Sequence, residues 1–374
     1  VSAGGRAGGA RRPAWERVPL LALGFVALFA GLGAGLARLG WTMPEVAAGA
    51  AAIHGPLMIC GFFGVVISLE RAVAIGRLWA YTAPLLAGIG TGAALHGMGA
   101  ATPWFALAAS VVLLAASLDV LRRQPVLFMA VIAIAAGCWT VGSALWAAGW
   151  AVHDLVGWWL AFLVLTIAGE RLELSRFMPP SRAAERLFVG VTAVLLVALL
   201  AWGQPWGPRL FGAGLLALAA WLLRHDIARR TVRQQGLTRF IAVCLLSGYF
   251  WLAVGGAVML AFGLAPGHAA YDAALHALLL GFVFAMVFGH APIIFPAVLR
   301  VAVPYHPVFY APLALLHASL ALRLAGDASG QYALTRWGAM LSALALVGFI
   351  ANTVAAVVRG RFAGTRTATA RVPR

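Results

Sequence analysis

Lysine is absent from this 374-residue chain, and acidic residues are scarce: eleven Asp and Glu stand against 27 basic residues, all arginine. Charged residues of either sign make up only 10% of the sequence, whereas hydrophobic ones make up 63%. A soluble domain carries roughly 25% charged and about 45–50% apolar residues, so a soluble globular enzyme is excluded. A disordered chain is excluded by the same numbers. The net charge of +16 does not point to nucleic acid, because there is no polar domain to carry a basic binding face. Cysteine is rare too. Cys60, Cys138 and Cys244 stand far apart in apolar runs with no C-x-x-C, which argues against a disulfide framework or a thiolate zinc site and leaves them as small core residues.

What is present is a succession of apolar runs, each near the 20 residues that a membrane-crossing helix needs. Twelve spans are expected, at about 18–39, 46–69, 79–97, 103–121, 125–148, 153–175, 186–203, 206–223, 238–263, 270–292, 307–325 and 332–358. The fold class is therefore all-α, a polytopic membrane protein. The organisation expected is a basic tail at 1–17, one transmembrane domain at 18–358 and a second basic tail at 359–374. The arginines alternate with the spans: 23 fall on one side, and only Arg38, Arg209, Arg323 and Arg336 on the other. By the positive-inside rule both termini are cytoplasmic. The first span, with no A-x-A site directly at its end, reads as an uncleaved helix. The Arg-, Ala- and Gly-rich composition suggests a GC-rich bacterial source, hence a bacterial cytoplasmic membrane. The main partner is then the lipid bilayer, with tryptophans such as Trp41, Trp79, Trp104 and Trp150 near span ends.

Ionisable groups at membrane depth are costly and default to functional hypotheses. Glu70-Arg71 ends span 2 and Glu170-Arg171 ends span 6 at matching depth, which reads as paired interfacial ions, or as proton or ligand contacts. Of nine histidines, four lie within spans: His54 in span 2, His276 and His290 in span 10, and His317 in span 11. At about 1.5 Å per residue, His54 and His276 reach the same depth, in the outer half. Two imidazoles facing each other from different helices are the ligand set of a b-type heme; two core histidines bonded to backbone are the alternative. His290 follows His276 by fourteen residues, on nearly the same face and in the inner half. His290 and His317 could hold a second heme or a copper, or simply bond to each other. Pro56 is expected to bend span 2 near its histidine, and Pro292 and Pro296 to break span 10.

Spans 2, 6 and 10 are four apart and carry His54 with Glu70, His153 with Glu170, and His276. This hints at three four-helix units. Twelve spans with histidines on the second and tenth resemble the heme–copper oxidase catalytic-subunit superfamily. More specifically, Ala274-Leu275-His276-Ala277-Leu278 with Gly281 resembles the A-L-H-A-L-x-x-G segment of NnrS proteins, membrane heme and copper proteins linked to nitric oxide tolerance. Gly248-Tyr249-Phe250-Trp251-Leu252 resembles their G-Y-A-W-L. Gly169-Glu170-Arg171 with Ser175 and Phe177 resembles their G-G-R-x-x-P-S-F. The chain departs from the family in span 2, where the second His and the Glu of H-x-H-E fall on Pro56 and Leu57. It also lacks the histidines that give an oxidase three copper ligands, so oxygen reduction is not expected.

The resemblance implies a heme b protein that binds nitric oxide or relays electrons from a redox donor the sequence does not name. Twelve spans equally suit a cofactor-free transporter or permease, with the histidines as substrate or proton sites. A scaffold for assembling a respiratory complex is a third reading. Bound iron discriminates among them.

Overall fold

In hydrocarbon a backbone must satisfy its own hydrogen bonds, and a run of apolar residues does so as a helix. The computed structural model describes residues 14–174 and 181–369. Twelve long helices cross it, with no strand among the described residues: α1 Val18–Arg38, α2 Ala51–Ile75, α3 Thr82–Leu95, α4 Thr102–Arg123, α5 Leu127–Ala147, α6 Val152–Leu174, α7 Arg182–Leu200, α8 Gly207–His225, α9 Gly236–Phe262, α10 Ala269–Leu299, α11 Tyr310–Ser329 and α12 Tyr332–Thr369. The protein is a polytopic α-helical membrane protein. Eleven of the described helices are long and apolar enough to cross a bilayer. The exception, α8, carries Arg209 and Arg224 near its two ends and lies between α7 and α9.

The three helices singled out by fourfold spacing are the innermost. In α2, α6 and α10, 67%, 78% and 67% of the most apolar stretch is buried, against no more than 50% in any other spanning helix. Aromatic stacks tie the centre together. Phe62 of α2 lies 5.7 Å from Phe284 of α10 at 6°, and Trp139 of α5 lies 5.0 Å from Phe162 of α6 at 9°.

One sequence expectation needs correction. Pro292 and Pro296 do not break α10, which runs through both to Leu299 and ends at Arg300 with φ of 55°. Inside a helix bundle, neighbouring helices compensate for the lost donors and make proline tolerable. The free carbonyls at the end of α10 find partners in the N-terminal turn: Ala14 N–H donates to Leu299 at 2.9 Å and Arg17 to Val298 at 2.8 Å. The last helix, α12, continues beyond its apolar span, which ends at Gly360, as far as Thr369. Arg6, Arg11, Arg12, Ser175, Arg176, Phe177, Arg371 and Arg374 lie outside the described residues.

Helices α8 and α9 touch through glycine. A Cβ at Gly212 would stand 2.6 Å from the Gly256 carbonyl, and one at Gly256 would stand 2.9 Å from the Gly212 carbonyl. Backbone has no rotamer with which to yield, so Gly256→Leu is expected to force the two helices apart. Overpacking of this kind costs about 1–3 kcal/mol or more. Thermal unfolding in detergent checks it: an unchanged midpoint would refute the close contact.

Candidate functional site

The sequence places His54 and His276 at one depth, and the structure brings them together. His54 sits near the start of α2 and His276 in the first third of α10. Their ring centroids are 6.5 Å apart with planes 11° from parallel. At that distance the rings do not touch. A metal–imidazole bond is about 2 Å long, so a spacing of this size would leave room for a metal ion held by both rings.

Each ring is fixed by one nitrogen. His54 donates from Nδ1 to the Gly31 carbonyl of α1 at 2.7 Å, and His276 donates from Nδ1 to the Asp272 carbonyl at 2.9 Å. Both are thereby Nδ1–H tautomers, with Nε2 as the basic atom. Among the described residues no hydrogen bond reaches either Nε2. A metal-bound imidazole has this arrangement, with the non-ligating N–H given to a carbonyl or carboxylate that orients the ring. His276 keeps 18% of its side-chain surface open although protein surrounds it densely. His54 and His276, each with its Nε2 free of protein hydrogen bonds among the described residues, are thus the residues that would hold a heme or metal and would supply its imidazole nitrogens.

Backbone geometry next to both histidines is unusual. In α2 a π-helical segment, Leu57–Phe63, begins three residues after His54; in α10 another, Ala277–Phe284, begins immediately after His276. Such segments concentrate at functional sites because they re-aim side chains within an otherwise regular helix. Pro56 is the residue immediately before the π-helical segment of α2. Glycine on α1 completes the approach: a Cβ at Gly35 would stand 2.8 Å from Cε1 and 2.9 Å from Nδ1 of His54. Gly35→Ala is therefore expected to push the ring off the Gly31 carbonyl and to lower retention of any group that His54 binds, by about tenfold, as when other orienting partners of a ligand are lost. Retention equal to wild type would show that His54 is not held from α1.

The other two intramembrane histidines are differently placed. His290 donates from Nδ1 to the Met286 carbonyl at 2.7 Å and accepts at Nε2 from Arg171 at 3.3 Å. His317 accepts at Nδ1 from the Trp251 indole at 2.9 Å, so its Nε2–H faces the Ser247 hydroxyl at 2.9 Å. All four nitrogens are engaged by protein, and no hydrogen bond or ring contact joins His290 to His317 among the described residues. The structure does not bring this second candidate pair together.

Arg171 is the centre of a network that its neighbours in sequence do not reveal. Its partner is Asp226, at the C-terminal end of α8, through Nε at 2.8 Å; the two side chains are 4% and 2% exposed. Asp226 also accepts from the Tyr249 hydroxyl at 2.8 Å and from the Ala228 N–H at 2.7 Å. The hydrogen-bonded ion pair of Arg171 thus reaches across 55 positions.

The family described as Domain of unknown function (DUF8744) matches residues 17–358, from the turn before α1 into α12. The chain belongs to that family. No curated protein and no solved structure matches it. In this DUF8744 protein, sequence reasoning singled out the two central histidines but not Asp226 or Asp272, whose one signal was their type, a carboxylate in a chain with eleven of them. Tyr249 and Arg323 were noted only as a motif residue and an outer-side arginine, without their partners.

Proposed function

We propose that this protein holds a b-type heme between His54 and His276 and passes single electrons through it within a bacterial cytoplasmic membrane. The observation that carries the reading is the facing pair: two rings from the central helices α2 and α10, 6.5 Å between centroids, each tied by Nδ1 to a backbone carbonyl. Heme bound there supplies a one-electron couple. The protein's part is to fix the two rings, to exclude bulk water by the surrounding helices and to set the charge near His276. The resemblance to NnrS proteins supports a role in nitric oxide tolerance. With both imidazole Nε2 atoms given to the heme, the protein would favour electron relay over gas binding. Copper at His290 and His317 forms no part of the proposal, because their ring nitrogens already have protein partners.

The test is a reduced-minus-oxidised visible spectrum of the purified protein with a pyridine hemochrome assay. One heme b per chain with a sharp α-band is expected. Protein free of heme after expression with ample iron and heme precursor would sink the reading and return the pair to transport or packing.

A further inference from the structure

The two facing imidazoles are not equivalent. His54 gives its Nδ1–H to a neutral carbonyl on α1, a helix with no acidic residue. His276 gives its own to the Asp272 carbonyl, and the carboxylate oxygen Oδ1 of the same Asp272 stands 3.3 Å from that nitrogen. Asp272 is in turn gripped by Arg323 of α11 through two hydrogen bonds, Nε to Oδ2 at 2.7 Å and Nη2 to Oδ1 at 2.9 Å. The Arg323 side chain is only 8% exposed, so the fork is held in place. Asp327, one turn further along α11, has its Oδ1 taken by the Thr335 hydroxyl at 2.9 Å.

A carboxylate beside the N–H of an imidazole draws on that proton and makes the opposite nitrogen a stronger electron donor. An electron-rich ligand favours the more positively charged, oxidised metal. A guanidinium on the same carboxylate opposes this in two ways: it competes for the carboxylate's lone pairs, and it places a positive charge near the site. Both effects are amplified where water is scarce.

Resting on the heme reading above, we propose that Asp272 and Arg323 are positioning residues that set the reduction potential of the site through His276, Asp272 pulling it down and Arg323 holding it up. The pair makes α10 the electron-rich side of the site and leaves α2 the neutral one.

Redox titration of the full-length heme-loaded protein tests this, comparing wild type with Asp272→Asn, Arg323→Gln and the double variant. Asp272→Asn is expected to raise the midpoint, leaving about tenfold more reduced protein at a fixed ambient potential, which is about 59 mV for one electron. Arg323→Gln is expected to lower it, and the double variant to lie between the two. All three should keep the low-spin spectrum of wild type. A merely structural role would open the site to water and move both single variants in one direction; that result, or no movement in either, overturns the proposal. Should Asp272→Asn fail to fold with Arg323 left unpaired, Arg323→Gln and the charge-free double variant still decide the sign. A wild-type protein that binds no heme overturns the reading of the site itself, and is recognised before any variant is compared.

Discussion

On the proposed heme reading, alanine at His276 is expected to yield folded protein that purifies with less than about a tenth of the heme of wild type, because loss of a ligand costs at least what loss of a ligand's orienting partner does, about 10–100-fold. His54→Ala should do the same, since the two rings reach the site from different central helices and neither has a neighbouring histidine to replace it. Imidazole added during purification should restore the α-band in either variant, as it supplies the missing nitrogen without repairing anything else. His317→Ala is the control. Its ring joins Trp251 to Ser247, and its removal should cost stability but not heme. Equal loss of heme from His317→Ala and His276→Ala would show that the spectrum reports folding and not ligation.

The second large effect concerns Arg171. Replacing it with methionine leaves the Asp226 carboxylate buried, with only the Tyr249 hydroxyl and the Ala228 N–H to offset its charge. Breaking a buried pair from one side costs about 3–5 kcal/mol, whereas removing both charges together costs much less. Arg171→Met is thus expected to lower the detergent unfolding midpoint sharply, and Arg171→Met with Asp226→Asn to recover part of the loss. A double variant as unstable as the single one would mean that Arg171 acts through His290 or packing and not through Asp226.

The long helices were legible because hydropathy and length are local properties, although of the twelve expected spans only eleven are apolar enough to cross a bilayer among the described residues. The depth match of His54 and His276 was legible because a helix converts sequence distance into height. The fourfold spacing of α2, α6 and α10 was legible too, and it picked out the helices that are most enclosed. Partnerships across the bundle were not. Arg171 meets Asp226 because α6 and α8 close on one another, and nothing within either helix records that. His290 and His317 fit a shared-site reading by helix order alone, but their rotamers turn them towards Arg171 and Trp251. The persistence of α10 through Pro292 and Pro296 was hidden because compensation for a proline comes from neighbouring helices.

The π-helical segments carry a consequence for how this chain can change. Such a turn holds one residue more than an α-turn, and one residue is worth about 100° of rotation. Every face of α2 below Leu57–Phe63 is therefore rotated against the face that bears His54, and the same holds in α10 below His276. Loss of a single residue from either segment would restore regular helix and swing the histidine a quarter-turn or more away from its opposite number. Length within these two segments is thus a stricter specification than the identity of any one side chain in them. A frame of seven residues in one helix and eight in the other works as a ruler, and an insertion or deletion there would abolish the pairing while leaving the hydropathy of the span untouched.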